Sequence, residues 1–234
     1  MIIGSGLLAK AFAARVDQTN SIWIYAAGVS NSGCIDRYEF ARESRRLRQA
    51  LQAGANANAF VYFSTCSIAD PLARNSEYVQ HKVEMEMLVK NHANFIVVRL
   101  PQLAGKTPNP HTLLNYLYAR IARSERFRLW KNAVRNIIDV DDAALIVMEL
   151  LEDPQSRRLT VNVANPVSCP VTDIVAVMEK IIGKPAIIDE VIGGSAYDID
   201  TTRITPILTK LGLTFDRSYV ARVIEKYYGR LDEQ

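Results

Sequence analysis

The sequence predicts an α/β fold with a doubly wound parallel sheet, and three observations carry that reading. Short β-branched and aromatic runs alternate with stretches of helical periodicity. The run Asn94-Phe95-Ile96-Val97-Val98-Arg99-Leu100 is almost continuously apolar, as befits a strand buried on both faces of a parallel sheet. Small-residue turns follow the first strand, at Gly4-Ser5-Gly6, and the second, at Ala26-Ala27-Gly28.

Each element has its own justification. Residues 1–3 form a short strand, and residues 7–16 a helix, because Leu7, Leu8, Ala11, Phe12 and Arg15 recur at helical spacing. Residues 22–26 make the second strand. Asp36 or Arg37 opens a helix that runs to about Ala53, where Gly54-Ala55-Asn56-Ala57-Asn58 breaks it and a strand over 59–64 follows. Ser76 caps a helix that ends near Asn91, just before the run at 94–100. Beyond Pro101 the pattern loosens into a proline-rich stretch at 106–110, an amphipathic helix over 111–123, and short strands near Phe127-Arg128-Leu129 and Ile137-Ile138. Asp141-Asp142 start a helix over 143–151, where acids suit the positive helix end. A strand at 159–163 precedes helices over 170–182 and 204–211, closed by Gly183 and Gly212. The expected division is a core over 1–101, completed by strands from about 135–165, interleaved with a second lobe over 102–234.

Composition narrows the function. With 234 residues, 49% hydrophobic and 23% charged, the chain reads as a soluble globular protein of one large domain or two fused lobes. A net charge of +3 is too small to imply a nucleic-acid partner, and the run Arg42-Glu43-Ser44-Arg45-Arg46-Leu47-Arg48 reads as a solvated helix face. The start lacks a basic leader and no apolar window approaches about 18 residues, so neither a signal peptide nor a membrane span is expected. Cys34, Cys66 and Cys169 have neither metal spacing nor an even count, which favours reduced thiols, no metal site and a cytoplasmic setting. His81 and His111 read as solvated bystanders.

Two motifs carry chemistry. Gly4-Ser5-Gly6-Leu7-Leu8-Ala9 has the spacing G-x-G-x-x-A between a first strand and a first helix. There glycines let a pyrophosphate approach backbone N–H groups, and small Ala9 lets helix and strand pack closely: the mark of a dinucleotide-binding Rossmann-type fold. The acidic residue that usually follows about 20 residues later, at the end of the second strand, is missing, and Asp17 comes too early. The second motif places Tyr78 and Lys82 one helical turn apart, thirteen residues after Thr65. A cation there is expected to lower the phenol's pKa, while a hydroxyl approaches from a strand end. Accident alone gives roughly 0.4 such Y-x-x-x-K matches in a chain of this composition, so the order of the motifs matters more than any one of them.

Taken in order, G-S-G-L-L-A, Y-A-A-G, F-S-T-C-S, Tyr78-Val79-Gln80-His81-Lys82, Val98-Arg99-Leu100-Pro101, Arg135-Asn136-Ile137-Ile138-Asp139-Val140-Asp141-Asp142 and Val161-Asn162-Val163-Ala164-Asn165-Pro166 resemble the extended short-chain dehydrogenase/reductase family. This is the NAD-dependent epimerase/dehydratase type. The resemblance implies NAD or NADP as cofactor, held by Gly4, Ser5, Gly6, Leu7, Leu8, Ala26, Ala27, Gly28, Lys82 and Pro101. It implies Tyr78 as proton donor or acceptor, Lys82 on the nicotinamide ribose, and Thr65 on the reacting oxygen, with Ser64 as a possible partner. Thr65 is preferred because in the family's S-T-x-x-V stretch the second hydroxyl precedes the apolar residue by three, as Thr65 precedes Ile68. A nucleotide-sugar substrate is implied, with Gln102 beside it and, on its diphosphate, Arg135 in competition with Arg120, Arg123 and Arg128; so is a homodimer across the helices at 36–53 and 78–91, which sedimentation at micromolar concentration checks.

Departures from the family's pattern are equally specific. Its second strand, the helix after it and its third strand are missing, which shortens the sheet on the adenosine side. The glycine motif is one residue tighter, and the family's helical Asn has no counterpart near Arg42 and Glu43. Cys66-Ser67 replace the Asp-Glu pair of dehydratases, which argues against elimination of water. The expected function is an NAD(P)-dependent reductase or epimerase of a nucleotide-linked sugar. The alternative is a non-catalytic relative that binds a dinucleotide or sugar nucleotide as a sensor.

Overall fold

The computed structural model describes residues 1–16 and 21–229, so Asp17 lies outside the described residues. The first half runs β1 (Ile2–Ile3), α1 (Leu7–Ala13), β2 (Ile22–Tyr25), α2 (Arg37–Ala53), β3 (Ala59–Thr65), α3 (Glu77–Val89) and β4 (Phe95–Leu100). Next come β5 (Gln102–Ala104), α4 (Leu113–Ala122), β6 (Phe127–Trp130), β7 (Val134–Arg135), β8 (Ile137–Asp139) and α5 (Val140–Glu152). The chain continues through β9 (Leu159–Asn162), β10 (Cys169–Pro170), α6 (Val171–Ile182), β11 (Ile188–Val191), α7 (Thr205–Leu211) and α8 (Tyr219–Tyr228).

Five parallel strands form the central sheet in the order β1-β2-β3-β4-β9. Side chains alternate across it. Ile24, Val61 and Ile96 face Phe12 of α1 and Val147 of α5, while Tyr25, Tyr62 and Val97 face Leu47 of α2 and Met85 of α3. Helices therefore cover both faces, and every residue of β3 is buried, which is why the strands read as apolar runs without alternation. β1 is the edge strand and pairs directly with β2, so the sheet is short on the side where adenosine would lie. With α1 on one face and α2 on the other, a crevice opens beyond the carboxyl ends of β1 and β2.

Local chemistry sets the helix ends. Asp36 and Ser76 accept hydrogen bonds from the N–H groups of Tyr38 (2.8 Å) and Val79 (3.3 Å). Gly183 and Gly212 close α6 and α7 in the left-handed region, at φ 73° and 65°. The helix expected at 143 begins three residues earlier, because Asp139 caps it by accepting from the Asp141 N–H at 2.8 Å.

A second apolar core lies off the sheet, where Leu117 and Ile121 of α4 meet Ile174 and Met178 of α6 and Val223 and Ile224 of α8. α8 was not foreseen. Its Tyr219 hydroxyl donates to Asp142 (2.6 Å) and accepts from the Asp139 N–H (2.9 Å), and Lys226 Nζ reaches Asp139 at 2.8 Å. The acidic stretch thus anchors a distant helix as well as starting its own. Asn136 ties the two regions: it donates to the Asn165 carbonyl (2.7 Å) and accepts from the Asn165 N–H (3.1 Å). Among the described residues, no helix is long and apolar enough to cross a membrane.

Candidate active site

The crevice is a cleft of about 620 Å³, and its walls include residues from five places that carry the sequence motifs. After β1, Gly4, Ser5, Gly6, Leu7 and Leu8 line it; after β2, Ala26, Ala27 and Gly28. Ser64 and Thr65 close β3, Tyr78 and Lys82 project from α3, and Pro101 and Gln102 follow β4. All of these were singled out in the sequence. Arg135 stands apart from the cleft walls: its guanidinium turns back on its own strand and donates to the Val134 carbonyl at 2.8 Å. His111 is exposed at the rim.

Two of the glycines are fixed by space. Gly4 has φ +134°, and a Cβ there would lie 2.4 Å from the Ala26 carbonyl oxygen, so the turns after β1 and β2 touch backbone to backbone. A Cβ on Gly28 would meet Lys82 Nζ at 2.6 Å and Glu43 Oε1 at 2.7 Å. Gly6 differs, since a Cβ there meets no protein atom within 4 Å and would extend into the open crevice.

Behind the cleft wall lies a charge network that sequence reading missed. Glu43, 1% exposed, accepts hydrogen bonds from the Val29 N–H (2.7 Å), the Tyr62 hydroxyl (2.8 Å) and Lys82 Nζ (3.0 Å), with His81 Nε2 at 3.1 Å. An ionised carboxylate only accepts, so His81 carries its proton on Nε2. Burial alone would push the Glu43 carboxyl up, but Lys82, His81, the Val29 amide and Tyr62 outweigh it and hold the group at about 2. On Lys82 burial prevails and its pKa falls, against the pull of the same carboxylate. We read the pair as charged, because an ionised Glu43 held by four donors needs its cation.

This network revises three expectations. The basic run at 42–48 is a solvated face only in part: Arg45, Arg46 and Arg48 are exposed, but Glu43 and Leu47 are buried, and Arg42 and Arg46 line the cleft. His81 is buried against Glu43 and stacked on Phe40, with ring centroids 4.5 Å apart. The expected lowering of the Tyr78 pKa does not occur either. Burial first, and then the Glu43 charge, push the phenol up, while its hydrogen bond with Thr65 pulls it down. Lys82 Nζ lies 5.9 Å from the Tyr78 ring centroid, and its charge is answered by Glu43 at 3.0 Å.

The signal for Glu43 was present. Glu43, Leu47 and Ala50 recur at helical spacing, the inward stripe of α2, so a carboxylate on that stripe has to be paired. Ser64 was named, but not its condition: its hydroxyl is buried and has no partner among the described residues. Tyr197, from the segment between β11 and α7, reaches the cleft without any sequence signal.

A parallel sheet short of its adenosine strands, a glycine turn at the crevice and a Thr, Tyr and Lys set on one wall define a dinucleotide-binding protein of the extended short-chain dehydrogenase/reductase type. The chain belongs to the NAD dependent epimerase/dehydratase family, whose model matches residues 40–164, from within α2 to just past β9. Solved structures share the fold. RMD from Pseudomonas aeruginosa, complexed with NADPH, superposes with a TM-score of 0.73 at 15% identity over 95% of each chain. UDP-glucuronic acid 4-epimerase from Bacillus cereus, in complex with UDP-glucuronic acid and NAD, gives 0.71 at 17% identity over 95% of this chain and 77% of that one. UDP-glucose 4-epimerase from Thermus thermophilus, complexed with NAD, gives 0.67 at 13% identity over 94% and 80%. No curated protein matches the sequence.

Proposed function

We propose that the chain is an NAD(P)-dependent oxidoreductase that reduces a nucleotide-linked keto-sugar, with Tyr78 as the acid. One observation carries this reading: Tyr78 lines the cleft beside Thr65 and Lys82, and burial together with Glu43 keeps its phenol protonated. At neutral pH such a group holds its proton until a stronger base than phenolate forms next to it. The oxygen of a carbonyl becomes that base as hydride reaches its carbon. A bound nicotinamide would supply the hydride; Tyr78 would give its proton to the alkoxide oxygen, and the Thr65 hydroxyl would donate a hydrogen bond to the same atom.

The residues present suit such a cofactor. Gly6 leaves open space in the turn after β1, and Ser64 brings an unused hydroxyl to the wall. Lys82 Nζ donates to Glu43 at 3.0 Å and to the Tyr62 hydroxyl at 3.3 Å, and would give its one remaining hydrogen to a ribose hydroxyl. Epimerisation first needs a base to take a proton from a sugar hydroxyl, a role that the Glu43 charge opposes in Tyr78. Dehydration lacks its machinery: Cys66 donates to the Arg99 carbonyl at 3.4 Å, and burial pushes its thiol up to about 12. The sugar nucleotide is assigned from the family and from the UDP-sugar ligands named for the related structures. It would enter between Gln102 and Tyr197, with the second apolar core as the substrate lobe.

The test pairs binding with turnover. NADH or NADPH should quench protein fluorescence saturably, and a panel of nucleotide-linked keto-sugars should contain a substrate. Tyr78→Phe should remove turnover by at least about 10²-fold and leave cofactor affinity unchanged. Undiminished turnover in that variant would end the proposal. Tight cofactor binding with no turnover across the panel would identify a binding protein instead.

A further inference from the structure

We propose that Arg42 and Arg46 form a phosphate-binding fork for the adenosine ribose, so that the cleft selects a 2′-phosphorylated dinucleotide, NADP(H), over NAD(H). The proposal rests on the reading above that the cleft takes a dinucleotide. Its starting point is a charge asymmetry: among the described residues, the cleft walls carry Arg42, Arg46 and Lys82 but no Asp or Glu. Lys82 is answered by Glu43. The two arginines are not answered in full. Arg46 makes no salt bridge among the described residues, and Arg42 pairs with Glu39 at 2.5 Å while its Nε stays buried without a partner.

Placement gives the two cations a purpose. They stand one helical turn apart on α2, so their side chains share a face. That face lies beside the end of β2, where the charges of both reach the Tyr25 hydroxyl. α2 also packs along the sheet edge, since Ile3 of β1 joins the cluster that holds Leu47 and Leu51. In a full-length sheet of this class, a strand beyond β1 ends in the carboxylate that accepts hydrogen bonds from the 2′-hydroxyl and repels a 2′-phosphate. This chain lacks that strand and the carboxylate with it, and brings two guanidiniums to the neighbouring wall. A guanidinium offers a planar fork of donors matched to phosphate oxygens.

The probes are 2′,5′-ADP and 5′-ADP, which differ only in the phosphate at issue, titrated calorimetrically alongside NADPH and NADH. Wild type should bind 2′,5′-ADP and NADPH roughly ten- to a hundredfold tighter than their counterparts, the span of one or two charge-assisted contacts. Arg42→Gln/Arg46→Gln should erase the difference and leave 5′-ADP and NADH affinity unchanged. Arg45→Gln, on the exposed side of α2, removes the same charge and should change nothing. Equal wild-type affinities overturn the proposal and leave the oxidoreductase reading standing. Equal weakening of both ligands in the double variant also overturns it, by placing the guanidiniums on the shared pyrophosphate. Failure of every probe to bind removes both readings.

Discussion

Removing Glu43, which lies behind the cleft wall, should destabilise the fold more than any single change on the wall itself. Glu43→Ala deletes the acceptor of four donors, the Val29 N–H, the Tyr62 hydroxyl, His81 and Lys82, all within 3.1 Å. Breaking a buried ion pair by removing one partner costs about 3–5 kcal/mol, because the remaining charge stays desolvated. Lys82 lines the cleft and can turn its ammonium toward water, so the lower half of that range is expected. For a chain of this size each kcal/mol shifts the melting temperature by roughly 2–4 °C, giving a fall of about 6–16 °C. Urea titration followed by circular dichroism measures the free energy directly.

A double-mutant cycle separates charge from packing. Glu43→Gln and Lys82→Met should each destabilise, and the double variant should recover at least about 1–2 kcal/mol of their sum, since no lone charge is then buried. Acid titration supplies an independent check. Glu43 is held at about 2, below its ordinary 4.5, so its contribution is complete above pH 4.5 and is lost as pH falls through 2. Glu43→Gln should flatten that acid limb. A Glu43→Ala cost below about 1 kcal/mol, or strict additivity in the cycle, would show that the pair is not formed in the folded protein and would undo the account of Tyr78 built on it.

Two further outcomes follow from the same wall. In pH profiles of kcat/KM for reduction, the rate should hold through neutral and mildly alkaline pH, because burial and Glu43 raise the Tyr78 pKa and the phenol keeps its proton; Glu43→Gln should move the alkaline limb to lower pH, and an unmoved limb would rule out that coupling. Ser64→Ala removes a buried hydroxyl without a partner. Its unfolding free energy should stay within about 1 kcal/mol of wild type or rise, while cofactor or substrate affinity weakens by about fivefold or more. A large stability loss with unchanged affinity would mean that the hydroxyl serves the fold alone.

The fold was legible because the buried sheet writes itself into composition. β3 and β4 are covered on both faces, so they read as apolar runs, and α2 and α3 begin where Asp36 and Ser76 can cap them. α8 escaped because its partners, Asp139 and Asp142, lie some eighty residues earlier. Nothing in a local window distinguishes an acid that starts a helix from one that also receives a distant tyrosine.

The site was legible as a set of residues but not as a set of charges. Gly4, Gly28, Thr65, Tyr78 and Lys82 converge as their spacing implies, since strand ends and one helical turn fix where each side chain goes. Spacing does not report which charge answers which. Lys82 was assigned to Tyr78 on its own helix, whereas its nearest counter-ion comes from α2, thirty-nine residues earlier. The physical cue was burial: a carboxylate on the same stripe as Leu47 and Ala50 cannot remain ionised alone, and it finds the nearest buried cation. Tyr78, which the sequence offers as proton donor or acceptor, thus sits where burial and the Glu43 charge both raise its pKa, and that favours the donor role proposed above.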